Sequence, residues 1–359
     1  MKIGLIGLQN SGKTTIFNAL TGSDIETAEY SMGKIEPNLG IVTVKDDRVD
    51  NLSKMYEPEK TVYAHIEYID FAGLSGNSKG SEVFSGNALA LIKNTNALAI
   101  VVRNFSNAII SETLGTPDSV SDIENIESEL ILSDLIIAEK RLEKIELNKK
   151  RGIKDNALLT EEKAIHKIID QLNAGLPINR IDFPKEEEKA VRGFQFLTQK
   201  PIMVILNSDE DSFMQNESIL SDISGKYKVI EFAGNFEMEL NKLSAEEALE
   251  FMADMNIQES AAKRLTVFSY ELLGYISFFT IGKDEVRAWT ISSGDSAVDA
   301  AGAIHSDLAR GFIRAECFTY NDLIEAGSEK GIKENGKFRL EGKEYIVQDG
   351  DIISVRFSV

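Results

Sequence analysis

Eight residues near the amino terminus, Gly7-Leu8-Gln9-Asn10-Ser11-Gly12-Lys13-Thr14, set two glycines, a lysine and a hydroxyl at a spacing that suits phosphate chemistry. A loop of this kind between a strand and a helix aims backbone N–H groups at phosphate oxygens, and the helix dipole favours negative charge there. Gly7 and Gly12 permit the tight turn. Lys13 supplies a point charge for β- and γ-phosphates, and the Thr14 hydroxyl is placed to ligate Mg²⁺. Gln9, Asn10 and Ser11 complete the cradle, and Thr15 adds a hydroxyl toward the α-phosphate.

A second element, Asp70-Phe71-Ala72-Gly73, ends an apolar run over residues 66–69. An aspartate at that place can hold Mg²⁺ through water, and the Gly73 N–H can sense a γ-phosphate. Small residues follow from Gly76 to Gly86, as expected of a switch segment that γ-phosphate orders. The third element is Asn207-Ser208-Asp209-Glu210. Standard GTP-binding proteins carry N-K-x-D here, whose aspartate accepts from guanine and whose lysine covers the base. Glu210 is one methylene longer than that aspartate, and Ser208 replaces the lysine, so the element points away from strict guanine choice. Adenine would want a donor such as Asn207. The competing reading makes Asn207, Asp209 and Glu210 mere capping residues of the following segment. A glutamine that orients the attacking water is expected just after D-x-x-G, but Leu74 stands there and cannot bond water. The three histidines, His65, His166 and His305, lie in contexts that fit structural roles.

These residues need a scaffold. Residues 2–7, 40–44, 65–71, 97–103, 201–206 and 227–232 have the apolar texture of strands, with helical spacing between them. That alternation predicts an α/β fold with a mainly parallel sheet, which binds ligands at the carboxyl ends of its strands. Ile131, Leu135, Ala138, Leu142 and Ile145 step by four and three, and Ile165, Ile168, Ile169 and Leu172 form a second stripe. The pattern predicts an antiparallel helical arm over residues 126–198, with a pair of ordinary core helices as the alternative. From residue 277 short β-rich runs mark a separate α+β domain. The expected order is a nucleotide-binding domain in two parts, 1–125 and 199–276, the arm between them, and a final domain over 277–359.

Charge and composition narrow the class. The formal net charge of −19 repels nucleic acid at long range, so RNA contact needs a local basic patch. Two clusters qualify as candidates: Lys149, Lys150, Arg151 and Lys154 at the arm's turn, and Lys330, Lys333, Lys337, Arg339 and Lys343 in the last domain. Solvated loops with interspersed acids are the favoured alternative for each cluster taken alone. A single cysteine, Cys317, excludes an internal disulfide and fits a reducing compartment. No apolar run reaches the length of a membrane span, which makes cytoplasm the expected location.

The chain resembles the YchF-type ATPases, an Obg-related P-loop family, along essentially its whole length. The resemblance rests on Gly7 to Thr14 and the following Thr15-Ile16-Phe17-Asn18-Ala19-Leu20-Thr21, on Ile35-Glu36-Pro37-Asn38, on Asp70 to Leu74, and on Asn207 to Glu210. It rests above all on the carboxyl-terminal run that includes Glu285-Val286-Arg287-Ala288-Trp289-Thr290 and Tyr345-Ile346-Val347-Gln348-Asp349-Gly350-Asp351, similar to a TGS domain. The resemblance implies hydrolysis of ATP or GTP with ATP often favoured, an apolar residue in the glutamine position, and association with ribosomes. Two departures bear on catalysis: Lys34 replaces a threonine of the first switch, and no histidine stands near Ser111. Both favour slow turnover, or a module that holds nucleotide with negligible hydrolysis. A metabolic phosphotransferase on the same fold has no small-substrate site or arginine-rich lid to support it.

Overall fold

The computed structural model describes residues 1–25, 37–71, 86–152, 155–254 and 257–358. Lys34, Ile35, Glu36, Gly73, Leu74, residues 76–85 and Lys154 lie outside the described residues.

Among the described residues, twelve strands form two six-stranded sheets. The strands are β1 (Lys2–Ile6), β2 (Asn38–Val44), β3 (Lys60–Val62), β4 (Ala64–Asp70), β5 (Ala97–Asn104), β6 (Ile202–Ser208), β7 (Lys228–Phe232), β8 (Tyr275–Thr280), β9 (Glu285–Ser292), β10 (Phe312–Thr319), β11 (Arg339–Glu341) and β12 (Asp351–Phe357). The first sheet runs β2-β4-β1-β5-β6-β7, and β4-β1-β5-β6-β7 are parallel. After β1 the chain builds outward through β4 on one side and later through β5, β6 and β7 on the other. The carboxyl end of β1 is therefore a topological switch point, where open parallel sheets bind ligands. Strands β5 and β6 are buried nearly throughout because helices cover parallel sheets on both faces.

The arm is an αα-hairpin. Its first helix, Ser119–Lys150, is 32 residues long and is capped by Asp118, whose carboxylate accepts from Ser121 N at 3.1 Å. The expected seam is present: Ala138 and Ile145 are fully buried against Ala164, Ile165, Ile168 and Leu172, with Ile131, Leu135 and Leu142 packed beside them. The helix starts earlier than the arm predicted from sequence, because Ile123, Ile126 and Leu130 continue the apolar stripe into the core of the first sheet. Arg141 grips Glu161 through two bonds of 2.5 and 2.7 Å across the hairpin. At the arm's root the fully buried Asp134 accepts from Leu197 N, Thr198 N and Thr198 Oγ1 at 2.9, 2.7 and 2.8 Å. Burial pushes its carboxyl above the usual range, and the hydrogen bonds oppose that. These bonds fix where the returning chain enters β6.

The chain divides into two compact units, Met1–Ile41 with Glu67–Leu265, and Val42–Ile66 with Thr266–Val359. The second unit holds the other sheet, β11-β10-β12-β8-β9-β3. Within it β3 comes from early in the sequence and pairs parallel with β9, Lys60 to Glu285 and Val62 to Arg287. Its core gathers Phe278, Ile291, Ala300, Ala301, Ala315 and Ile353 under the helix Ala297–Ile304, which Ser296 and Asp299 close with a capping box. Cys317 lies in this core, and burial pushes its thiol up to about 12, so it is an inert packing residue.

Candidate functional site

Strand β1 is buried from Ile3 to Ile6 and delivers the chain into the loop of residues 7–12. Asn10 and Gly12 have φ of 59° and 91°, the left-handed values that turn the loop back on itself. Both glycines are required by tertiary contacts. A Cβ on Gly7 would stand 2.4 Å from the Val101 carbonyl oxygen of β5, and one on Gly12 would stand 2.1 Å from Asn207 Nδ2. The helix Lys13–Thr21 begins on Gly12 with no side-chain cap, so its first amides face outward for a ligand. Ser11 Oγ is buried in the loop with no hydrogen-bond partner among the described residues. An orphaned hydroxyl inside a loop of outward-facing amides fits an anionic ligand with several oxygens.

The Lys13 ammonium curls over the loop, donating to the Gly7 and Leu8 carbonyls at 3.0 and 2.7 Å. Burial lowers its pKa to about 8, and the nearby Asp70 carboxylate partly offsets this. Thr14 Oγ1 donates to Asp70 Oδ2 at 2.8 Å, and Asn38 Nδ2 reaches the same oxygen at 3.4 Å. The helix start and the end of β4 thus bring a hydroxyl and a carboxylate together. These are hard oxygen donors of the kind Mg²⁺ takes singly, completing its shell with water and phosphate oxygens. Among the described residues no cluster of three or more His, Cys, Asp or Glu forms a cage for a metal. Any ion here would depend on such additional ligands.

On the far side of β1 the ends of β5, β6 and β7 form the rest of the site. Asn207 is 4% exposed and committed to structure. Its Nδ2 donates to Ser11 O at 3.1 Å, and its Oδ1 accepts from Gly234 N at 3.2 Å. It therefore clamps the phosphate-type loop to the segment after β7, where the sequence suggested a donor to a base. Asp209 also turns inward: its carboxylate accepts from Ser212 N, Ser212 Oγ and Ser106 N. Those bonds, the Ser212 hydroxyl first, hold it below the usual carboxylate range. Glu210 is exposed and lines an open cleft with Ser208, Asp209, Asp211, Ala233, Asn235 and Phe236. Of the two acids in this element, Asp209 has its carboxylate engaged by Ser212 and Ser106, and Glu210 is the more exposed.

Asn104, Ser106, Asn216, Glu231, Asn235 and Phe236 were missed by motif reading. Most sit at or just beyond the carboxyl ends of consecutive parallel strands, and a polar residue at such an end is the signal that could have found them. The histidines stand apart: His65 is exposed near the start of β4, His166 is exposed on the arm, and His305 caps the helix Ser306–Arg310. The basic clusters are largely paired. Lys149 bonds Glu162, Lys330 meets Glu334, Lys337 meets Asp322, and Arg339 meets Asp351 and Glu341, while Lys150, Arg151 and Lys343 remain exposed.

Comparison with known proteins agrees with this geometry. Residues 2–208 match a family model described as a 50S ribosome-binding GTPase, and residues 275–358 match the YchF-GTPase_C model, described as a protein of unknown function. The ribosome-binding ATPase YchF of Haemophilus ducreyi is 41% identical over 364 residues, covering 100% of this chain and 99% of that protein. The Bacillus subtilis protein of the same name is 41% identical over 364 residues, covering 99% of each. The structure of the Schizosaccharomyces pombe YchF GTPase superposes with a TM-score of 0.85 at 30% identity, covering 99% of this chain and 97% of that one. Full-length similarity that spans both sheets, the arm and the loop of residues 7–14 means that the chain belongs to the YchF family of P-loop proteins.

Proposed function

We propose that this chain is a slow nucleoside triphosphatase that favours ATP over GTP, works with Mg²⁺, and acts in the cytoplasm as a ribosome-associated switch. The observation that carries the reading is the meeting of three parts at the strand ends: the Gly7 to Thr14 loop, the Thr14–Asp70 pair and the Asn207 clamp. Loop amides from Gly7 to Thr15 take the phosphates, and Lys13 leaves the Gly7 and Leu8 carbonyls to neutralise them. Thr14 and Asp70 would hold Mg²⁺, which when bound supplies further neutralisation of phosphate charge. The Gly73 N–H, three residues after Asp70 in sequence, is assigned to the γ-phosphate. Glu210 is assigned to the base, accepting an N–H from its edge; Asp209 lines the same cleft, and Asn207 ties the loop of residues 7–12 to Gly234 beside it. Ribosome association is inferred from the relatives named ribosome-binding ATPase at 41% identity. Among the described residues no helix is long and apolar enough to cross a membrane.

Leu74, Lys34 and the absence of a histidine near Ser111 favour slow chemistry and support a second reading, a regulatory module that holds nucleotide without turning it over. Two measurements decide. Titration of nucleotide-free protein with non-hydrolysable ATP and GTP analogues plus Mg²⁺ should give tighter ATP binding, reduced about 100-fold in Lys13→Ala. Binding of neither analogue would overturn the proposal, and tighter GTP binding would overturn the preference for ATP. Single-turnover hydrolysis at saturating ATP separates switch from module: a rate no higher than that of Lys13→Ala supports the module. Co-sedimentation with ribosomes that is indifferent to nucleotide would remove the word switch.

A further inference from the structure

The position that carries a lysine in the N-K-x-D pattern is Ser208, and its hydroxyl does not reach the cleft as a free group. It is 3% exposed and donates to Glu231 Oε1 at 2.6 Å, while accepting from Asn104 Nδ2 at 3.0 Å. The same Glu231 oxygen accepts from Asn216 Nδ2 at 2.6 Å, and Glu231 Oε2 accepts from Met214 N at 3.0 Å. One carboxylate therefore gathers three donors from residues 208, 214 and 216, both ends of the loop that carries Glu210 and Asp211. Met214 has φ of 64°, a left-handed backbone that a side-chain-bearing residue adopts at a cost, and its N–H points to Glu231. Glu231 projects from β7, where Leu206 of β6 is its register partner and Ile230 and Phe232 are buried neighbours. A carboxylate only 8% exposed in that setting is unfavourable unless bonded, and all three of its donors belong to one loop.

We infer that Glu231 is a positioning residue for base recognition: it fixes the loop of residues 208–216 so that the Glu210 carboxylate meets a nucleobase edge that carries an N–H donor, such as the exocyclic amine of adenine. The inference rests on the nucleotide reading given above. Phosphate binding is built on the other side of β1 and uses none of these residues. Loss of Glu231 should weaken the nucleoside part of binding and leave the triphosphate part alone.

The experiment compares the full-length protein with Glu231→Ala, Glu231→Gln and Ser208→Ala. Each is titrated with three Mg²⁺-loaded probes, non-hydrolysable ATP, non-hydrolysable GTP and inorganic tripolyphosphate, alongside thermal unfolding. In Glu231→Ala the ratio of ATP-analogue affinity to tripolyphosphate affinity should fall about tenfold, with tripolyphosphate affinity unchanged and the preference for ATP over GTP reduced. Glu231→Gln should fall between, because its amide oxygen still accepts from Ser208 while its NH₂ opposes the Met214 N–H. If Glu231→Ala does not fold, Glu231→Gln and Ser208→Ala carry the same ratio test. An equal loss for all three probes, or an unchanged ratio in every variant, overturns the inference and leaves the nucleotide reading standing. Failure of the unsubstituted protein to bind either nucleotide overturns the nucleotide reading and this inference together.

Discussion

The two halves of the site are built by different means. The phosphate half is backbone: contiguous residues, two of them left-handed, held by the absence of side chains at Gly7 and Gly12. The half proposed for the base is built mainly from side chains: the Asp209 and Glu231 carboxylates collect donors from Ser106 N, Ser212, Ser208 and Asn216, and Asn104 donates to the Ser208 hydroxyl. The first half leaves no room for a Cβ at Gly7 or Gly12, whereas the second is held by hydrogen bonds to buried or part-buried carboxylates. One asparagine joins them, since Asn207 bonds Ser11 on one side and Gly234 on the other. On the proposed reading, phosphate binding rests on the rigid half and base choice on the half built from side chains.

The sharpest way to break this contrast is Gly12→Val. At φ of 91° and with Asn207 Nδ2 2.1 Å from the new Cβ, the loop cannot keep its shape. A loss of about 3 kcal/mol in unfolding free energy is expected, with loss of triphosphate binding. Normal melting and normal titration would show that the loop is not held as described. Asn207→Ala tests the join. It removes both bonds of a buried amide and should cost about 2 kcal/mol in denaturant unfolding. Tripolyphosphate and nucleoside affinities should fall together, unlike the selective loss expected at Glu231.

The pH dependence sharpens the phosphate half. Lys13 in the free protein titrates near 8, lowered by burial. Its cation is the form that attracts phosphate, so binding takes up a proton above that pH. Affinity for Mg²⁺-tripolyphosphate should be level below about pH 7 and fall toward tenfold per pH unit above 8. Lys13→Ala should abolish the slope, and a slope that persists would assign the proton elsewhere. The smallest effect is expected from Glu210→Gln, which keeps one acceptor oxygen at the cleft. A change of about threefold in the ATP to GTP affinity ratio, with tripolyphosphate unaffected, is the expected titration result. An equal change for all probes would remove Glu210 from the base half.

The sequence by itself determined what is local. The Gly7 to Thr14 loop is readable because its geometry is written in consecutive residues and their φ requirements, and Asp70 is readable as the polar end of an apolar strand. The arm is readable because Ala138 and Ile145 fall on one helical stripe. Which side chains are spent on the frame and which stay exposed emerges from the folded sheet alone. Asn207 and Ser11 are 196 residues apart, and Asp134 meets Thr198 across 64. In a one-dimensional reading, Asn207, Asp209 and Glu210 are equally polar and equally available; the bonds to Ser11, Gly234, Ser212 and Ser106 spend the first two and leave Glu210 open. In the same way nothing local distinguishes β3 as a strand of the second sheet, because its partner β9 lies more than two hundred residues on. Periodicity and motif spacing report the backbone's own preferences, whereas hydrogen-bond partners are chosen by which strand ends the folded sheet sets side by side.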